Sequence, residues 1–291
     1  MTRLAALAVM LGASGPPFPI PDSRFPIPLS QDKPPAPARE EVYKKAGSAE
    51  LKVHLYLPSD WKEDDRRPGI VFFFGGGWTQ GTVTQFAPQA AYLASRGMVA
   101  LCADYRVKSR HDVTPVECVE DAKSAVRWMR THAARLGVDP DRIVAAGGSA
   151  GGHIAACTGI TPGGDAPGED ASVSSRPDAL LLFNPVMDAG PLAQRLGSEE
   201  AAARITPNAH VAAGLPPALL LYGTADRLIE GAKEFLAKSK ELGNRAELYT
   251  ADGQGHGFFN KPPWRERTLV RADEFLESLG YLKGKPTVQA P

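Results

Sequence analysis

The chain has 291 residues, of which 43% are hydrophobic and 23% are charged, and its 33 Lys and Arg balance its 33 Asp and Glu. This composition is ordinary for a folded protein with a large core, and the length suits one large α/β domain or two small ones. The zero net charge, with no basic run longer than a residue pair, argues against a nucleic-acid or anionic-membrane partner.

The first 40 residues differ in character from the rest of the chain. A positive start at Arg3, an apolar stretch over residues 4–11 and small residues over 12–15 resemble a secretory signal peptide. We therefore expect residues 1–15 to be a signal peptide and the protein to be secreted or periplasmic; an unstructured start is the alternative. Residues 16–40 are rich in proline, which predicts an extended linker. No later apolar run is long enough to span a bilayer.

The folded domain is predicted over residues 41–284, followed by a flexible tail over 285–291. Residues 42–45 and 51–57 alternate apolar and polar side chains, which predicts an antiparallel hairpin at one sheet edge. Continuous apolar runs predict strands buried on both faces, and amphipathic stretches between them predict helices. The remaining predicted elements are strand 69–74, helix 88–96, strand 98–103, helix 116–136, strand 143–146, a helix from residue 150, strands 179–183 and 218–222, helix 229–242, strand 246–249 and helix 265–279.

Strands that alternate with helices predict an α/β fold with a mostly parallel, doubly wound sheet flanked by helices. Residues 188–217, between the strands predicted over 179–183 and 218–222, are the only sizeable insertion near the carboxyl ends of the central strands. They contain few large apolar side chains, so we expect a small cap of one or two short helices and no broad apolar lid.

Residues 147–151 match the pattern G-x-S-x-G between a predicted strand and a predicted helix. A sharp turn at this point strains the middle residue and lifts its hydroxyl clear of the sheet, and only small neighbours fit where strand and helix pass closely. The first free helical N–H groups also face the serine. Ser149 is therefore the candidate nucleophile; a glycine-rich turn that binds phosphate or has no function is the alternative.

A nucleophilic serine needs a base, and the base needs a carboxylate that orients it. Asp226 follows the strand predicted over residues 218–222, and His256 lies on a glycine-rich loop after the strand predicted over 246–249. Ligand chemistry in such folds occurs beyond the carboxyl ends of the strands. The chain order serine, aspartate, histidine is the order expected for a triad that follows a G-x-S-x-G turn. Asp252 is the rival carboxylate, which we rank below Asp226 because it shares the loop of His256.

The three glycines at positions 75–77 follow the third predicted strand. Glycines let backbone N–H groups approach a substrate oxygen, so Gly76, Gly77 and Ala150 are predicted to form an oxyanion hole. A plain flexible turn is the alternative. Trp78 is predicted to form the floor of the acyl or alcohol pocket, with an ordinary core aromatic as an equal alternative.

These motifs together resemble the hormone-sensitive-lipase-like and feruloyl-esterase-like α/β-hydrolases. The matching segments are Gly75-Gly76-Gly77-Trp78, Asp104-Tyr105-Arg106 and residues 137–143, 148–153, 223–226 and 255–258. The resemblance implies an α/β-hydrolase fold and hydrolysis of carboxylic esters, without a cofactor, through a triad of Ser149, His256 and Asp226. Phe74 stands where the family usually has histidine, a difference that concerns loop rigidity and alcohol-side recognition more than the reaction.

The resemblance and the small insertion favour short or aromatic acyl groups, with acetyl or feruloyl groups on carbohydrates as first candidates. The expected partner is thus a small-molecule or carbohydrate ester, and nothing in the pattern predicts an oligomeric state. An amidase or peptidase of the same fold and a non-catalytic binding module are the alternatives.

Several other polar residues are interpreted as structural. His153 lies one helical turn beyond Ser149 and is not expected to be the base, and Asp104 and Arg106 are expected to form ion pairs. Without H-E-x-x-H or C-x-x-C, no metal site is expected. The three cysteines are interpreted as buried small hydrophobes, with a single bridge between Cys102 and Cys118 as the alternative if the protein is exported.

Overall fold

A computed structural model describes residues 34–196 and 198–288. The predicted signal peptide and most of the predicted linker lie outside the described residues. Within them the chain forms an eight-stranded sheet of order β1-β2-β4-β3-β5-β6-β7-β8. The strands are β1 (Arg39–Ala46), β2 (Ala49–Tyr56), β3 (Arg67–Phe73), β4 (Val99–Ala103), β5 (Val138–Gly148), β6 (Ala179–Phe183), β7 (Ala218–Gly223) and β8 (Ala246–Ala251).

The sheet is mostly parallel. β1 pairs antiparallel with β2, and β2 pairs antiparallel with β4, so the predicted hairpin forms one edge of the sheet. All pairs from β4 to β8 are parallel. The expected α/β fold with a mostly parallel, doubly wound sheet is therefore confirmed.

The α-helices pack on both faces of this sheet. They are α1 (Ala87–Ser95), α2 (Lys108–His111), α3 (Pro115–Thr131), α4 (Ala150–Ile160), α5 (Ala193–Leu196), α6 (Glu199–Arg204), α7 (Ile229–Glu241) and α8 (Trp264–Ser278). Side chains of α3, α4 and α7 fill one core layer, and those of α1 and α8 fill the other. Every side chain of the sheet centre is consequently shielded from water, which explains the continuous apolar runs of its strands.

Some boundaries differ from the sequence-based prediction. β1 begins at Arg39, inside the stretch predicted as linker, because Ala38 and Arg39 already pair with Leu55 of β2. β5 begins at Val138, well before the predicted start at Ile143, and α2 was not predicted. Part of the predicted tail contacts the domain, since the Thr287 N–H donates to the Tyr92 hydroxyl at 3.2 Å.

The insertion between β6 and β7 is small, as predicted. It contains the short helices α5 and α6 and 3₁₀ turns at Gly190–Leu192 and Pro207–His210. Its apolar side chains point into the core: Leu192 and Ile205 are buried there, and Leu196, Val211 and Leu215 pack against the same cluster. The insertion is thus closed onto the body of the domain, because its apolar surface is already buried.

The three cysteines are buried, and none of them forms a disulfide in the described part of the chain. Cys102 belongs to the core layer of α1 and α8, whereas Cys118 belongs to the opposite layer. The sheet separates these two side chains, so the alternative of a bridge between them is wrong for this structure. No helix in the described part of the chain has the length and apolar character needed to cross a membrane.

Candidate active site

The turn from β5 into α4 holds Ser149 in a strained backbone conformation, with φ 54° and ψ −119°. Residues other than glycine rarely adopt a positive φ, so a serine in this conformation suggests a functional constraint. A Cβ on Gly151 would collide with the carbonyl oxygens of Phe73 and Phe74, and one on Gly147 would approach the Gly151 carbonyl too closely. Glycine is required at both positions because strand and helix backbones nearly touch.

His256 lies between Ser149 and Asp226. Its Nε2 is 2.8 Å from the Ser149 Oγ, and its Nδ1 is 2.7 Å from the Asp226 Oδ2. Both distances are those of hydrogen bonds. Since a carboxylate can only accept, Nδ1–H donates to Asp226, which leaves Nε2 free to accept the serine proton. The structure therefore brings together the three residues that were singled out from the sequence.

The Asp226 carboxylate is also fixed by a second hydrogen bond and by burial. Its Oδ1 accepts the Leu228 N–H at 3.0 Å, and its side chain is 97% shielded from solvent. Asp252, the rival carboxylate, instead accepts the hydroxyl of Thr224 at 3.3 Å and is exposed. Its position gives no support to a role as the partner of His256.

Asn184 is a site residue that the sequence interpretation missed. It is the first residue after β6, is fully buried, and has φ 37°. Its Oδ1 accepts the Gly257 N–H at 3.1 Å, and its Nδ2 lies 3.4 Å from the His256 Nε2. An asparagine just past a strand end, where αL geometry favours this residue type, was the available signal.

The loop after β3 brings the three glycines beside Ser149. A Cβ on Gly75 would lie 3.4 Å from the Ser149 Cβ. Gly76 and Gly77 have φ values of 129° and 62°, which other residues rarely adopt. Ala150 is the first residue of α4, so its N–H has no intrahelical acceptor. This arrangement can present backbone donors to an oxygen bound at Ser149.

Phe74, which replaces the family histidine, anchors this loop by packing. Its ring stacks on Tyr105 with 4.1 Å between centroids and 20° between planes. The Tyr105 hydroxyl donates to the Phe74 carbonyl at 2.8 Å. A Cβ on Gly81 would collide with the Phe74 ring. The loop is therefore held by an aromatic stack and a buried hydrogen bond where the family uses histidine.

Trp78 is a core residue in this structure. It is 3% exposed, and its indole Nε1 donates to the His153 Nδ1 at 3.2 Å. The prediction that Trp78 forms the pocket floor is not supported, because the ring is covered by the core cluster that includes α4. The alternative interpretation, a core aromatic, describes its surroundings.

His153 has the surroundings of a structural core residue. Its side chain is fully buried, and its Nε2–H donates to the Ile205 carbonyl at 2.6 Å. Burial lowers its pKa to about 4, against a smaller opposite effect of the Ile205 carbonyl. The imidazole is therefore neutral near pH 7 and serves as a bridge between buried groups.

Asp104 and Arg106 form ion pairs, as predicted. Arg106 Nε is 2.8 Å from the Asp121 Oδ2, and Asp104 Oδ1 is 2.7 Å from Arg110. These pairs fix the segment after β4. Among residues 34–196 and 198–288, no group of three or more His, Cys, Asp or Glu side chains could hold a metal ion.

Comparison with known proteins finds relatives that are named as ester hydrolases. A family model described as BD-FAE matches residues 53–178. A probable isoprenylcysteine alpha-carbonyl methylesterase of Arabidopsis thaliana is 29% identical over 243 residues, covering 74% of this chain and 50% of the relative. A probable carboxylic ester hydrolase of Mycobacterium tuberculosis is 28% identical over 198 residues, covering 60% of this chain and 45% of the relative. The chain spans about half the length of these curated relatives.

Solved structures of esterase 2 from Thermogutta terrifontis are more similar. The apo form is 48% identical with a TM-score of 0.83, covering 88% of this chain and 100% of that one. The propionate-bound form is 49% identical with a TM-score of 0.81, and the cyclosarin-phosphonylated form is 49% identical with a TM-score of 0.82; each covers 85% of this chain and 96% of the other. With such identity over the whole of that solved chain and the same architecture, the chain belongs to the carboxylic ester hydrolases of the α/β-hydrolase fold, the serine esterases that its sequence resembles.

Proposed function

We propose that this chain hydrolyses carboxylic esters of short or aromatic acyl groups through an acyl-enzyme on Ser149. The observation that carries the proposal is the position of His256, hydrogen-bonded at 2.8 Å to the Ser149 Oγ and at 2.7 Å to the Asp226 Oδ2. This is the connectivity that activates a serine, with the carboxylate fixing the tautomer of the base.

In the first half-reaction the Ser149 Oγ attacks the ester carbonyl carbon while His256 Nε2 takes the hydroxyl proton. The carbonyl oxygen becomes an oxyanion, to which the N–H groups of Gly76, Gly77 and Ala150 donate. The carbon–oxygen bond to the alcohol then breaks, and the alcohol oxygen takes the proton from His256. The acyl group is left as an ester on Ser149.

Water completes the second half-reaction. His256 Nε2 takes a proton from water as its oxygen attacks the acyl carbon, and the same N–H donors stabilise the second oxyanion. Collapse of this intermediate releases the carboxylic acid, and His256 returns its proton to the Ser149 Oγ. Throughout, Asp226 accepts from Nδ1–H and stabilises the imidazolium that forms.

Two observations support short acyl groups. The large apolar side chains of the insertion, such as Leu192 and Ile205, are buried in the core and line no tunnel for a fatty chain. Thermogutta terrifontis esterase 2 has been solved with propionate and with butyrate bound. We therefore propose that activity is highest on acetyl to butyryl esters and falls beyond about eight carbons, because further methylenes stay in water.

Acetyl or feruloyl groups on carbohydrates are the natural esters we propose. The support is the resemblance to feruloyl-esterase-like proteins together with the signal-like start of the chain, from which we also propose export. Mass spectrometry of the protein from its native host tests export: a mature N-terminus beyond residue 15 is expected, and an intact Met1 in the cytoplasmic fraction would contradict it.

The test of the function is kcat/KM across p-nitrophenyl esters from acetyl to palmitoyl, with sugar acetates, methyl ferulate and matched amides assayed in parallel. The expected profile peaks at short acyl groups. Efficient hydrolysis of long-chain emulsions with little acetyl activity would overturn the proposed acyl size. Amide turnover without ester turnover would favour the amidase, and failure to react with any ester or organophosphate would favour the binding module.

A further inference from the structure

Two amide side chains connect the loop of the oxyanion glycines to the loop of the histidine. The Gly75 N–H donates to the Gln85 Oε1 at 2.6 Å. Gln85 Nε2 donates to the Asn260 Oδ1 at 3.0 Å, and Asn260 Nδ2 donates to the Gly257 carbonyl at 2.9 Å. Gly75 precedes the proposed donors and Gly257 follows the histidine, so this chain of hydrogen bonds spans the reaction centre.

The chain continues to the histidine itself. The Gly257 N–H donates to the Oδ1 of Asn184, whose Nδ2 lies 3.4 Å from the His256 Nε2. Asn184 is fully buried at the end of β6, and its own N–H donates to the Leu221 carbonyl at 2.7 Å. This end of the chain is thereby fixed to the sheet.

The direction of the amides is determined by the backbone groups at each end. The Gly75 N–H can only donate and the Gly257 carbonyl can only accept, so Gln85 must present its oxygen to Gly75 and Asn260 its NH₂ to Gly257. The NH₂ of Gln85 then faces the side-chain oxygen of Asn260 as donor and acceptor. Turning either amide around would set two donors or two acceptors against each other, so the orientation of each amide fixes that of the other.

We propose that Gln85 and Asn260 are positioning residues that set the distance between the oxyanion donors and His256. The inference rests on the proposed esterase function. Both loops are rich in glycine, whose backbone has more accessible conformations than that of other residues. The transition state needs the N–H donors and the base correctly placed at the same moment, and small displacements of either are costly. A direct link between the loops meets that need.

The test uses near-isosteric changes that remove the amides: Gln85→Met, Asn260→Leu and the double variant. Gln89→Met is the matched control, since Gln89 lies four positions after Gln85, is buried on α1, and has an Oε1 without a hydrogen-bond partner among the described residues. Three quantities are measured for each: kcat and KM on a butyryl ester, the rate at which paraoxon labels Ser149, and the melting temperature.

Each single change is expected to lower kcat and the labelling rate by about 10-fold or more, because the oxyanion donors and the base lose register. KM should change by less than about threefold, since the link acts on the transition state. The double variant should lose about as much as one single, not the product of both, because the link is already broken. Gln89→Met should keep wild-type kcat.

Single variants that keep wild-type kcat would overturn the inference, and so would a double variant whose loss of kcat is the product of the two single losses. In either case, ester turnover by the wild-type chain would still support the proposed function. If Gln85→Met does not fold, Gln85→Glu replaces it: its carboxylate still accepts from Gly75 but cannot donate to Asn260, so the same loss is expected and wild-type kcat would again overturn it. A wild-type chain with neither ester turnover nor paraoxon labelling would overturn the proposed function and this inference together.

Discussion

Trp78 donates its indole N–H to the Nδ1 of His153 across 3.2 Å. The residue that follows the oxyanion glycines is thus bonded to the helix that begins after Ser149. The other ring nitrogen donates to the carbonyl of Ile205 in the insertion. One buried, neutral imidazole therefore joins the glycine loop after β3, helix α4 and the insertion between β6 and β7. Protonating it would break the bond to Trp78, which needs an unprotonated Nδ1.

Stability should therefore fall in mild acid. The His153 pKa is lowered from 6.5 to about 4 by burial, so between these values the unfolded chain binds a proton that the folded chain does not. The stability that comes from keeping His153 neutral is fully present above pH 6.5. As the pH falls toward 4, the free energy of unfolding decreases by up to about 3 kcal/mol. Urea unfolding at pH 7, 5.5 and 4.5 measures this loss.

The control for this effect is His153→Gln, which has no titrating group at the position. The variant is expected to be less stable at pH 7 by about 1–3 kcal/mol, because a buried partner loses its hydrogen bond. Its free energy of unfolding should then change less with pH than that of the wild type. Parallel pH profiles for the two proteins would show that His153 titrates normally in the folded state.

Ser149→Ala is expected to lower ester turnover by about 10³-fold or more, because no nucleophile remains. Folding should be unaffected, since the side chain is small and the glycines at 147 and 151 still provide the close approach of strand and helix. Paraoxon labelling followed by mass spectrometry checks the assignment: the wild type should gain one adduct and the variant none. An adduct on the variant would identify another nucleophile.

Asp226→Asn is expected to lower kcat by about 10³-fold or more, because an amide can donate to Nδ1 and hold the wrong histidine tautomer. Asp252→Asn is the matched control on a neighbouring loop. Its turnover should stay close to wild type, because the Asp252 carboxylate accepts from the Thr224 hydroxyl and its backbone carbonyl accepts from the Gln254 Nε2, both away from His256 Nδ1. Steady-state kinetics on an acetyl ester compare the two. A larger loss in Asp252→Asn would make the carboxylate assignment wrong.

Gly76→Ala is expected to lower kcat by about 10²-fold, because its Cβ would collide with the Gln80 carbonyl and push a proposed N–H donor out of position. Gly47→Ala is the control: this glycine has φ 60° but nothing within 4 Å of a Cβ, in the turn between β1 and β2. It should cost about 1 kcal/mol of stability and no turnover. Equal kcat losses in both variants would refute the placement of the oxyanion donors.

The order of strands and helices was predictable because each element carries its own local pattern. The run over β3 is apolar because both sheet faces are covered, and the spacing of apolar residues along α3 follows the helical period. The antiparallel start could be recognised from the alternation in β2, whose residues are buried and exposed in turn. The start of β5 was missed because a proline and charged residues interrupt its apolar run.

The sequence by itself determined the fold class and the three triad candidates. A serine between small residues, and an aspartate and a histidine just past two strand ends, must meet when parallel strands share an edge. Only the tertiary structure decided that Trp78 lies in the core and that Gln85 meets Asn260, 175 positions away. The physical reason is that one hydrogen bond between distant amides leaves no periodic pattern in the chain, and an aromatic ring becomes core or pocket wall according to what packs over it.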